Sequence, residues 1–218
     1  MPKFRQCAAF NLRSETFDGL LAKLDSGRKV VPVVTRTGAL VRGNFPSRKA
    51  IGIAKFQSLN ERNALRLFEV APTVSKFKTH PLVLRLPGLK DLHYTPDLAM
   101  YRADKAFLVE VKSAYFLGQQ ETKERFQKIT HRLNEHGVGL LFVLDEDIPE
   151  QLAKTVEELL HARPVIGRAR KGKDVNRFDP SLDEMDESNT NPKWTHAQVE
   201  CDELLARLMN RGPDQLIA

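Results

Sequence analysis

Residues 106–112, Ala-Phe-Leu-Val-Glu-Val-Lys, put a carboxylate and an ammonium two positions apart at the end of an otherwise apolar stretch. Side chains alternate between faces along a strand. Glu110 and Lys112 therefore share a face with Ala106 and Leu108, while Phe107, Val109 and Val111 take the other. Charged groups among such neighbours are costly to bury unless they are paired or bind a metal. The rest of the chain has to be read around that strand.

A helix is expected over residues 59–68, because Ser58 and Glu61 stand three apart as in a capping box and Ala64, Leu65 and Phe68 share a face. Pro72 stops it. Three strands are expected at residues 82–86, 94–101 and 106–112, separated by Pro87-Gly88 and by Arg102-Ala-Asp-Lys in the pattern of a meander. A longer helix over 119–136 puts Phe126, Ile129 and Leu133 on one side and Lys123, Lys128 and Arg132 largely elsewhere, and ends at Gly137. Residues 140–144 form a further strand, and 150–161 a helix with Leu152, Val156 and Leu159 inward.

Helix, three strands, helix and strand make an α/β core over residues 56–162. Residues 1–55 read as a basic N-terminal arm, with a short amphipathic stretch at 17–24 and an apolar run at 30–34. Residues 163–218 read as a linker, basic from Arg163 to Arg177 and then acidic through Asp183, Glu184, Asp186 and Glu187. A terminal helix begins at a second capping box, Thr195 with Gln198, and carries Val199, Leu204, Leu205 and Leu208; it suits partner docking.

With 41% hydrophobic and 28% charged residues in 218, wholesale disorder and fibrous repeats are excluded. No secretory signal or membrane-length apolar run stands in the chain, which reads as cytoplasmic with no membrane partner. Cys7 and Cys201 lie at opposite ends without metal-ligand spacing and read as plain thiols. The net charge is +6, but residues 1–55 alone hold eleven Lys/Arg against three acids, a local balance of +8. That density favours a polyanion such as nucleic acid, although solvated lysines account for it equally well.

Thr95-Pro96-Asp97 precedes Glu110-Val111-Lys112 by twelve intervening residues. Mg²⁺ is usually held by one or two carboxylates plus waters and substrate phosphate, and Asp97 and Glu110 can supply them. A bound metal acidifies water and offsets charge on phosphorus, while Lys112 can orient the water or neutralise the phosphate. Glu61 is the candidate third acid, on the same side of its helix as Ala64 and Leu65. The plainer alternatives are a cross-strand salt bridge to Lys112 and a capping role for Glu61. His80 and His93 read as structural or substrate-side groups, and Asp145-Glu146-Asp147 as an acidic helix start.

Phe45-Pro-Ser-Arg48-Lys49, Ser58-Leu-Asn-Glu61-Arg-Asn-Ala-Leu-Arg-Leu-Phe-Glu69, Val74-Ser-Lys-Phe77 with His80-Pro81, Tyr94-Thr-Pro-Asp97 and Glu110-Val-Lys112 follow in order. Over about residues 40–150 this series resembles the catalytic domain of the TnsA family, the endonuclease subunit of Tn7-like heteromeric transposases. The resemblance implies a restriction-endonuclease-like PD-(D/E)XK core and catalysis by Glu61, Asp97, Glu110 and Lys112. The three acids would hold Mg²⁺, with Mn²⁺ substituting. It implies double-stranded DNA at transposon ends as substrate, a DDE-type transposase subunit as partner and an AAA+ ATPase as regulator. Arg42, Arg48, Lys49, Lys123 and Lys128 are the expected DNA-phosphate contacts. A stand-alone PD-(D/E)XK nuclease of defence, restriction or repair fits the same motif, and a non-catalytic DNA-binding or assembly subunit is the alternative of another class.

Overall fold

The computed structural model describes residues 9–11, 41–85, 93–102, 105–135, 137–163, 191–211 and 216. The expected stretches at 17–24 and 30–34, the Pro87-Gly88 turn and nearly all of the basic and acidic linker lie outside them. The chain is a mixed α/β fold. Its elements are strands β1 (Ala9–Asn11), β2 (Gly43–Phe45) and β3 (Ala54–Phe56), helix α1 (Leu59–Val70), then strands β4 (Val74–Thr79), β5 (Val83–Arg85), β6 (His93–Tyr94), β7 (Leu98–Arg102) and β8 (Lys105–Lys112). Helices α2 (Ala114–Leu117) and α3 (Gln120–Asn134), strand β9 (Leu140–Leu144), and helices α4 (Glu150–Ala162) and α5 (Pro192–Asn210) complete it.

The main sheet has the order β4-β7-β8-β9, antiparallel except for the β8–β9 pair. One face, with Leu98, Met100, Val109, Val111, Leu141 and Val143, joins a core shared with α1, α4 and α5. The other face, with Ala99, Tyr101, Leu108, Leu140 and Phe142, packs against Phe126, Ile129 and Leu133 of α3. The alternation expected along β8 is therefore the one that builds the two layers. Helix α3 closes at Gly137, whose φ of +68° is the left-handed conformation glycine adopts without strain.

The meander is not the expected one. Residues 83–85 pair with β1 and β6 in a separate small sheet, and the strand beside β7 is β4. A register shift between Val74 and Lys76 breaks the period-two alternation of β4 and hides it from a pattern search. The expected strand 94–101 is split as well: Tyr94 belongs to β6, and Leu98 opens β7 beyond Pro96, which has no N–H to offer a ladder.

Both domain edges are corrected. Phe45, Ala50, Ala54 and Phe56 are buried in the α1-side core, so folded structure starts well before residue 56 and the arm cannot extend to 55. Those apolar residues are single and separated by Gly, Pro and Ser, which gives no periodic signal. The terminal helix begins at Pro192, with the Asn191 side chain accepting from Lys193 N at 2.9 Å, and not at Thr195. It buries Trp194, Ala197, Cys201, Leu204, Leu205 and Leu208 in the same core, while Val199, expected among its apolar residues, is exposed. Among the described residues no helix is long and apolar enough to cross a membrane.

Candidate functional site

Strands β4, β8 and β9 run one way and β7 the other. The ends of β4, β8 and β9 and the start of β7 consequently meet at one edge of the sheet. The register Leu98↔Val109, continued by one residue, sets Asp97 across from Glu110. Opposed residues of an antiparallel pair project to one face. The Asp97 Oδ2 accepts from Val111 N at 2.8 Å, and the Asp97 carbonyl accepts from His80 N at 2.8 Å, so the aspartate is tied to both neighbouring strands.

Glu110 is only 3% exposed. Its Oε2 accepts from the Tyr94 hydroxyl at 2.8 Å and its Oε1 lies 2.7 Å from Lys112 Nζ. The ion pair anticipated by the plainer reading is thus present. The Lys112 ammonium lies 6.0 Å from the centroid of the Phe126 ring. Glu61 approaches from the first turn of α1, its Oε2 accepting from Gln57 N at 2.9 Å and its Oε1 from Ser58 Oγ at 3.1 Å. Ser58 Oγ in turn accepts from Glu61 N at 3.1 Å, so the capping role is real. Capping does not isolate Glu61, which also feels the charges of Asp97 and Lys112.

Electrostatics give the group its character. Burial, followed by repulsion from Asp97, pushes the Glu110 carboxyl up to about 7, against the pull of Lys112 and the Tyr94 hydrogen bond. Burial and Asp97 likewise raise Glu61. Burial raises Asp97, with Lys112, the Val111 N–H and His80 acting against it. Burial alone would lower Lys112, but Glu110 and then Asp97 outweigh it and raise it. Lys112 pairs directly with Glu110, and the charges of Asp97 and Glu61 act on it from further away.

His80, Tyr94 and Arg125 carry weight that the motif did not assign them. His80 has φ 45°, a strained backbone for a residue with a Cβ, and its buried Nδ1 has no hydrogen-bond partner. Its Nε2 lies 3.3 Å from Gln57 Nε2. Tyr94 holds Glu110, and the charge of Arg125 reaches Tyr94. The signal for Tyr94 was a tyrosine within an apolar strand, since a buried phenol needs a polar partner. Its identity depended on pairing across the chain.

The structure separates the expected phosphate contacts. Lys128 is exposed on α3, Lys123 half-buried there, and Arg42 and Arg48 are half-buried near β2. Lys49 donates to the carbonyls of Ala71 at 2.6 Å and Phe68 at 3.3 Å, and burial lowers it to about 8. It closes the end of α1, which speaks against a phosphate contact. Of the acidic triplet, Asp145 accepts from Ala114 N at 2.9 Å at the start of α2, and Asp147 pairs with Arg211 at 2.5 Å. The triplet forms a 3-10 turn of its own, and α4 begins after Pro149.

Among the described residues no group of three or more His, Cys, Asp or Glu is arranged to hold a metal ion. A closed cage of the zinc type is therefore not formed there. Asp97 and Glu110, opposed oxygen donors that repel one another, fit the open coordination Mg²⁺ adopts with one or two carboxylates and water. No protein-family model matches the chain, and no curated protein matches it.

Proposed function

We propose that the chain is a magnesium-dependent DNA endonuclease with a restriction-endonuclease-like core, acting on transposon 5′ ends beside a DDE-type transposase and an AAA+ ATPase. The observation that supports the reading is the opposition of Asp97 and Glu110 across β7 and β8, with Lys112 paired to Glu110 at 2.7 Å and the charge of Asp97 acting on Glu61. A surplus of buried negative charge is stable only if something compensates it. A divalent cation would do so, and a phosphodiester would then bind to the cation.

Asp97 and Glu110 would hold the ion, with waters and a substrate phosphate completing its coordination, and Glu61 would act on the site through its charge. Mg²⁺, when bound there, lowers the pKa of a water and offsets charge on the phosphorus. Lys112, held by Glu110, would offer a positive charge to a phosphate oxygen that gains negative charge. Tyr94 fixes the second Glu110 oxygen, so the carboxylate is oriented before substrate arrives. The Val111 N–H does the same for Asp97.

The test is cleavage of a transposon-end duplex by the full chain with Mg²⁺, in a mixture containing the transposase. Wild type should nick the 5′ ends and Asp97→Asn should not, although it binds the same DNA. Equal cleavage by the two proteins would overturn the reading, and absence of cleavage by both would leave the sheet-edge cluster a structural salt bridge.

A further inference from the structure

The residues directly after Lys112 are as unusual as the acids before it. Tyr115 is 74% exposed and Phe116 56%, on a helix of four residues whose other side is firmly anchored. Leu117 is buried in the α3-side core, and Ala114 N is bound by Asp145. The two rings pack edge to face with centroids 5.4 Å apart. Two large aromatic side chains held side by side in water by a fixed backbone cost solvation with nothing in the described fold to offset it.

Their place narrows the occupant. Helix α2 follows β8 and is tied to the end of β9, so it stands at the same sheet edge as Asp97, Glu110 and Lys112. On the next helix Lys123, Arg125, Lys128 and Arg132 outnumber Glu121 and Glu124, and Arg125 acts on Tyr94. Asp145, which binds Ala114 N at the start of α2, is held below the usual carboxylate range by that bond and by Ser113. Cations suit a phosphate backbone, while flat apolar rings beside them suit the faces of bases.

We infer that Tyr115 and Phe116 form an aromatic wedge that stacks on bases beside the cleaved phosphate, so that DNA is unstacked at that step when it binds. The inference rests on the endonuclease reading and deepens it. Aromatic wedges lever open base steps at the expense of stacking, and flexible or mismatched steps yield most readily. The wedge therefore makes the site selective for a deformable step without reading its sequence.

The test uses the full chain in an Asp97→Asn background, which keeps the DNA intact, with duplexes carrying 2-aminopurine at successive positions around the transposon end. Unstacking brightens this base. Binding should raise its fluorescence several-fold at one step, and a mismatch there should tighten binding. Tyr115→Ala with Phe116→Ala should abolish the rise and weaken binding about tenfold or more. Exchanging the rings, Tyr115→Phe with Phe116→Tyr, should preserve both. Unaltered binding without any fluorescence rise would overturn the wedge and leave the endonuclease reading standing. Loss of affinity for the transposase, with DNA behaviour unchanged, would overturn it in favour of a protein-docking patch. Failure of the background protein to bind any of the duplexes would remove both readings.

Discussion

Glu61 stands in the first turn of helix α1 and Glu69 in its last, about 12 Å apart along the axis. Glu69 is 1% exposed and fully served: it accepts from Ser47 Oγ at 2.6 Å, Arg48 N at 3.0 Å and Arg163 at 2.9 Å. Arg163 stacks on the Trp194 ring at 4.3 Å, and Lys49 closes the helix beside it. At the other end Lys112 pairs with Glu110, and the carboxyls of Glu61, Asp97 and Glu110 are all raised. The two ends teach that a buried acid is not in itself a functional sign. Matched donors make Glu69 a clasp between distant segments, whereas carboxyls left raised by burial and like charge are what the proposed metal site rests on.

The comparison is broken most directly by exchanging the roles. Lys112→Ala should cut cleavage by roughly 100- to 1000-fold, as loss of a charge-stabilising group does. Circular dichroism and thermal melting should find it folded. Glu69→Ala should do the reverse, losing roughly 3–5 kcal/mol of stability because Arg163 is left without its partner, while the fraction that remains folded cuts at the normal rate. If Lys112→Ala loses activity only in proportion to unfolding, the two ends are alike and both are clasps.

A smaller effect separates them through pH. Raised carboxyls favour folding while protonated: their contribution is complete below the unfolded value near 4.5 and is lost as pH rises through about 7, the value for Glu110. Metal-free protein should therefore melt several degrees lower at pH 8 than at pH 5. Mg²⁺ should recover most of the loss at pH 8 and little at pH 5, because its ligands must first lose their protons. Lys49, lowered to about 8, acts only above this window, where its loss of charge raises stability. A melting temperature indifferent to both pH and Mg²⁺ would mean the surplus charge is not there.

The smallest expected effect concerns two lysines. Lys128→Ala should reduce the slope of log binding constant against log salt by about 0.9 if it meets one phosphate. Lys49→Met should leave that slope unchanged and lower the melting temperature, since its ammonium serves Phe68 and Ala71. An equal slope change for both would return Lys49 to the DNA surface.

Local pattern sufficed for helix α3, strands β8 and β9, helix α4 and the shared face of Glu110 and Lys112. In the two helices the apolar residues recur on one side, and in the two strands a short apolar run is buried on both faces. The same local chemistry was enough for the Ser58–Glu61 cap, which acts over three residues. Tertiary structure alone decided that β4, with its bulge, lies beside β7; that Asp97 is fastened to both its neighbours; that Tyr94 meets Glu110; and that Lys49 turns inward to a helix end. It also decided that Trp194 and its helix fill the core. Periodicity is a property of neighbours along the chain, but strand register and the pairing of buried polar groups are settled between segments far apart in sequence, where each donor must find its acceptor in competition with water.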